Sequence, residues 1–169
     1  MIAPYSFVNQ RKSKNKLEKV HIKTHTKVIK RNENMATSVD HLLGKLKDPK
    51  AEMGLVRKGI KPTLIEAFFN QEKLPIKEIL AKLNISSSTY FAKKKHHKTL
   101  DSYSTEKFIR LISIVAKANK ILGQDEARRW IYSKIPSLDN ETPIDLLDTE
   151  VGHRLVLQAL LQIEHGIYS

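Results

Sequence analysis

The chain has 169 residues, a formal net charge of +12 and 40% apolar residues, which allows one compact domain or two small ones. It has no cysteine, so disulfide frameworks, thiolate metal sites and thiol nucleophiles are excluded. No apolar run approaches the roughly 18 residues of a membrane span; charges recur from Arg11 onward, where a signal peptide needs an apolar core, and a cytoplasmic location is expected.

The charge is zoned. Residues 1–34 carry 9 basic and 2 acidic side chains, residues 35–120 carry 17 and 8, and residues 121–169 carry 4 and 8. A basic front two-thirds suits a polyanionic partner, and an acidic end does not. Residues 1–34 show sparse apolar residues without a period and read as a disordered, solvated arm. Two other readings stay open: a non-specific phosphate-binding arm, or a leader preceding a translation start at Met35.

From Val39 the pattern is helical, with Val39, Leu42, Leu43 and Leu46 on one face until Asp48-Pro49 interrupts it. After the break at Gly59 to Pro62, a helix opens on Pro62 and carries Leu64, Ile65, Phe68 and Phe69. Another starts at Pro75 with Ile76, Ile79, Leu80 and Leu83 inward. Ser86 is expected to cap a short helix and Ser104 a long one, with Phe108, Leu111, Ile112, Val115 and Leu122 at helical spacing and Gly123 at its end. Asp125 is expected to cap the helix of Ala127, Trp130 and Ile131, and Thr142-Pro143 to open the next. Asp148 or Thr149 caps a last helix running toward Glu164. No alternating run argues for a sheet, so the fold class is all-α, divided into an arm (1–34), a DNA-reading half (35–103) and a C-terminal half (104–169).

Residues 77–95, KEILAKLNISSSTYFAKKK, follow the logic of a helix-turn-helix. Ile79 and Leu83 face the core, Asn84 tolerates the left-handed turn, Ile85 fills the space between helices and Tyr90 packs inward. Ser86, Ser87, Ser88 and Thr89 then stand at the end that meets base edges, and Lys93, Lys94, Lys95 and Lys98 where phosphates would lie. Two positions depart from the usual pattern. Leu80 stands where a small residue is common, and Lys93 where an apolar one is.

The C-terminal half combines a helix ending in Gly123, a short helix with Trp130, the stretch Thr142 to Leu147, a helix starting at Thr149-Glu150-Val151-Gly152, and a closing Leu160 to Tyr168. This order resembles the Xre/MbcA/ParS-type antitoxins, and the likeness extends over residues 38–169. The resemblance implies a homodimer that binds its own operator as a repressor. It also implies a cognate RES-type, NAD-consuming toxin whose active-site entrance the C-terminal domain covers. The matching positions for toxin binding are Trp130, Pro143, Glu164, His165, Gly166, Ile167 and Tyr168. Read from the residues alone, Trp130 is a core anchor, Pro143 belongs to a helix start, and Gly152 marks a close helix–helix contact. The last helix is apolar nearly all round, so it is either buried centrally or an interface.

The histidine pairs His21/His25 and His96/His97 lack carboxylates at ligand spacing, and no nucleophile–base arrangement is visible. No metal, no cofactor and no enzymatic activity are expected. The alternatives to an antitoxin are a stand-alone helix-turn-helix regulator whose C-terminal half only dimerises, and an interaction module with a relic reading head.

Overall fold

Proline and aspartate set the first boundaries. In the computed structural model, which describes residues 38–166, a helix over 38–45 (α1) buries Val39 and Leu42 and leaves Leu43 half-buried. Asp48 then accepts a hydrogen bond from the Lys50 amide at 3.0 Å and caps α2 (Pro49–Lys58). The basic arm lies outside the described residues.

α3 (Pro62–Gln71) starts on proline as its sequence predicts and buries Ile65, Phe68 and Phe69. α4 (Ile76–Lys82) and α5 (Ser87–Lys95) follow. α6 (Ser102–Leu122) is the longest helix, and its inner face holds Phe108, Leu111, Ile112 and Val115. Phe108 lies 6.0 Å from Phe69 and 5.9 Å from Tyr90 between ring centroids, which joins α3, α5 and α6 in one aromatic core. α6 also packs on α2, α7 and α9. α7 (Gln124–Trp130), a 3₁₀ turn (Pro136–Leu138), α8 (Pro143–Leu146) and α9 (Glu150–Glu164) complete the chain. Among the described residues there is no strand, only an isolated antiparallel bridge between Ile135 and Glu141. None of their helices is long and apolar enough to cross a membrane. The described residues from Val39 onward belong to one compact unit.

Several caps differ from expectation. α6 is capped by Asp101 rather than Ser104: the Asp101 carboxylate accepts from the Ser104 amide at 2.8 Å and the Ser104 hydroxyl at 3.1 Å. A carboxylate is the stronger acceptor at a helix start. Gly123, with φ 81°, ends α6 and begins α7 within one residue, so Asp125 falls inside the first turn, where it pairs with Arg128. Of the two residues expected to cap α9, Thr149 does so, accepting from the Gly152 amide at 3.0 Å. The Thr142 hydroxyl donates to Asp145 at 2.5 Å, and no side-chain cap forms there.

Candidate functional site

α4 and α5 follow one another across a tight turn, in the order expected of a helix-turn-helix. The chain turns through Asn84 (φ 51°), and the Ile85 amide donates to the Leu80 carbonyl at 2.8 Å. Ser86 accepts from the Thr89 amide at 3.3 Å. Tyr90 is fully buried, its hydroxyl donates to the Pro62 carbonyl at 3.0 Å, and burial pushes its pKa upward. Leu80 is also fully buried, so the large residue at that position extends the core. Ser86, Ser87, Ser88 and Thr89 are all exposed at the leading end of α5, with the Ser86 and Ser88 hydroxyls 3.0 Å apart.

The four lysines expected to meet phosphates divide into two pairs. Lys93 Nζ donates to the Thr99 carbonyl at 3.2 Å and lies 4.0 Å from Asp101. Lys94 Nζ lies 2.6 Å from the Glu66 carboxylate. These two are engaged within the molecule, whereas Lys95 and Lys98 are exposed and make no ion pair among the described residues. Lys93 therefore occupies its usually apolar position by laying its stem inward and ending on a carbonyl.

In the C-terminal half, Trp130 is only 7% exposed and Pro143 is buried, so neither presents a free face. The Trp130 ring nitrogen and the Tyr132 hydroxyl are buried without a hydrogen-bond partner among the described residues. Ile144 donates to the Ile131 carbonyl at 3.1 Å, which fixes α8 against the end of α7. The reading of Gly152 as a close contact matches the structure: a Cβ there would lie 1.9 Å from the Leu146 carbonyl oxygen. α9 is neither wholly buried nor wholly free. Gly152, Val156, Ala159 and Leu160 face the core, and Val151 (59% exposed), Leu155 (46%) and Leu161 (36%) lie on the outer side among the exposed Arg154 and Gln158. At its end Glu164 pairs with Lys117 at 2.5 Å, and that bond holds the Glu164 carboxyl below its ordinary pKa. His165 and Gly166 are exposed; Ile167 and Tyr168 lie outside the described residues.

Between the two halves, α6 carries two charged residues on its inner face that the sequence reading passed over. Lys107 is 2% exposed and donates to the Leu83 carbonyl at 2.7 Å, at the end of α4. One turn on, Arg110 is 7% exposed and donates to the carbonyls of Leu147 (3.5 Å) and Asp148 (3.1 Å) and to Glu106 (3.0 Å). Nearby, Lys82 pairs with Asp145 at 2.5 Å and the Asn84 amide donates to Asp148 at 3.3 Å. Burial works against ionisation of Asp145, but hydrogen bonds from Lys82 and Thr142 outweigh it and lower its pKa.

One triad-like arrangement occurs on α6 and α9. The Ser113 hydroxyl lies 3.4 Å from His153 Nε2, and His153 Nδ1 lies 4.0 Å from Glu150. Burial lowers the imidazole pKa and Glu150 opposes that. The Ser113 hydroxyl donates to the Arg110 carbonyl at 2.8 Å, so its proton is committed to its own helix rather than to the imidazole.

Comparison with known proteins gives two family matches. Residues 117–166 match the antitoxin Xre/MbcA/ParS C-terminal toxin-binding domain, and residues 49–135 match the Mga helix-turn-helix domain. Over 131 residues the chain is 25% identical to the Prs ADP-ribosylating antitoxin of Sphingobium sp. (strain YBL2), covering 72% of this chain and 82% of that protein. It is 24% identical over 116 residues to antitoxin Xre of Yersinia enterocolitica, covering 68% and 78% respectively. It is likewise 24% identical to antitoxin Xre of Photorhabdus laumondii, covering 68% and 79%.

Proposed function

We propose that the chain is an antitoxin of the Xre/MbcA/ParS type, that it neutralises a cognate RES-type, NAD-consuming toxin in the cytoplasm by covering its active-site entrance, and that as a homodimer it represses its own operator through the helix-turn-helix. The proposed role is binding rather than catalysis. The observation that carries the toxin-binding half is the coincidence of the toxin-binding family match with the outer side of α9. Val151, Leu155 and Leu161 stay exposed on a helix whose other side packs on the core, and exposed large apolar side chains interspersed with the exposed polar Arg154 and Gln158 suit a partner interface. The name of the Sphingobium relative ties that protein to ADP-ribosylation, chemistry that consumes NAD, which supports the reading of the partner. Trp130 and Pro143 then act from within, as the support on which α8 and α9 rest.

The test is growth of cells expressing the toxin beside each antitoxin variant, with affinity of the purified pair measured in parallel. Leu155→Asp is expected to weaken the complex about tenfold or more, since desolvated apolar anchors are worth about 1–2 kcal/mol each. A chain ending before Glu164 loses one exposed ion pair and is expected to keep its fold; loss of protection by this variant locates the blocking contact in Glu164 to Tyr168. Full protection by both variants refutes the interface. If Leu155→Asp instead splits a dimer and leaves toxin binding intact, the α9 face serves a second copy, as in a stand-alone regulator.

A further inference from the structure

The loop between α2 and α3 and the loop after α5 are joined. The Leu100 amide donates to the Ile60 carbonyl at 2.9 Å, and the Ile60 amide donates to the Thr105 hydroxyl at 3.2 Å. Gly59, with φ 80°, is pressed so closely on the second loop that a Cβ would lie 2.1 Å from the Leu100 carbonyl oxygen. This seam fixes Lys58 and Lys61, which flank Gly59-Ile60, beside Lys98, which precedes Thr99-Leu100, and all three are exposed. Lys95 is exposed on the last turn of α5, and His96 and His97 lead from it into the loop.

Two carboxylates that pair with lysines of α5 are already occupied. Glu66 is taken by Lys94, and Asp101 caps α6 and faces Lys93. The inner lysines thus neutralise the two carboxylates, and Lys58, Lys61, Lys95 and Lys98 make no ion pair among the described residues. Gathering like charges at a pinned seam works against folding through self-repulsion, which an anionic partner relieves. The C-terminal end of a recognition helix is where such modules meet the duplex backbone.

We infer that Lys58, Lys61, Lys95 and Lys98 form one phosphate-binding surface, and that the α2–α3 loop, outside the helix-turn-helix itself, supplies half of the backbone contacts to duplex DNA. This rests on the DNA-reading role proposed above. Each lysine that neutralises a phosphate steepens the fall of log Kobs with log salt by about 0.9.

The experiment measures binding of the full chain to a duplex of arbitrary sequence by fluorescence anisotropy across a salt series. Lys58→Ala/Lys61→Ala is expected to reduce the slope by about 1.8, so that between about 50 and 200 mM salt the wild type loses about 12-fold more affinity than the variant. Lys95→Ala/Lys98→Ala should produce an equal change, and Lys93→Met/Lys94→Met, whose targets are engaged internally, none. A Lys58→Ala/Lys61→Ala slope equal to wild type, with the Lys95/Lys98 slope reduced, overturns the inference and leaves the helix-turn-helix reading standing. Absence of duplex binding by the wild-type chain overturns both.

Discussion

Gly152→Ala is expected to destabilise the protein by about 2–3 kcal/mol, although alanine in place of a mid-helix glycine ordinarily stabilises by about 1 kcal/mol. The sign reverses because the new Cβ would stand 1.9 Å from the Leu146 carbonyl oxygen and 2.7 Å from its carbon. Backbone cannot rotate away as a long side chain can, so either α9 shifts off α8 or α8 deforms. Gly54 provides the control. It lies inside α2 with nothing within 4 Å of a Cβ, and Gly54→Ala should raise stability by about 1 kcal/mol or less. Urea unfolding of both variants checks the pair. A Gly152→Ala midpoint at or above wild type would show that the α8–α9 contact is loose, and the rigid seating of the outer side of α9 would fail with it.

Lys107→Ala should cost about 4 kcal/mol. The residue is 2% exposed, its Nζ is 2.7 Å from the Leu83 carbonyl, and it lies 4.4 Å from the Tyr103 ring centre. Truncation removes buried methylenes and leaves a carbonyl at the end of α4 without its partner, and both effects act in the same direction. Lys107→Met separates them. Methionine fills most of the volume, so the remaining loss, about 1.5–3 kcal/mol, is that of the charge-assisted hydrogen bond. Thermal unfolding of the two variants provides the measurement. If Lys107→Met proves as stable as wild type, the hydrogen bond contributes nothing net and only the packing of the stem matters.

What could be read from residues alone was mostly punctuation and periodicity. Pro62, Pro143, Thr149 and Ser86 mark helix starts because their stereochemistry is local, and Asn84 marks the turn because few residues accept φ near 51°. Gly152 could be read because a mid-helix glycine demands a reason. The competition between Asp101 and Ser104 for one cap turned on acceptor strength. The roles of Lys93, Lys94, Lys107 and Arg110 were not visible, since a lysine's destination depends on carbonyls and carboxylates distant in the chain. A signal existed for Lys107: it shares the face of Leu111, Ile114 and Ala118, all fully buried. A charge in that row should have prompted a search for its acceptor. The exposure of Val151 and Leu155 on a helix apolar nearly all round was half visible, as one of two stated outcomes.

The pairing of Lys107 and Arg110 on a single helix has a thermodynamic corollary. The end of α4 is fastened to α6 through the Leu83 carbonyl, and the α8–α9 corner through the carbonyls of Leu147 and Asp148, one turn away. Lys82–Asp145 and Asn84–Asp148 tie the same two regions directly. Any ligand that displaces the corner must therefore work against bonds that also orient the turn before α5. Under the proposed function, whatever factor by which a bound toxin alters the affinity for DNA, bound DNA alters the affinity for toxin by that same factor, because free energy is a state function and the coupling has no direction.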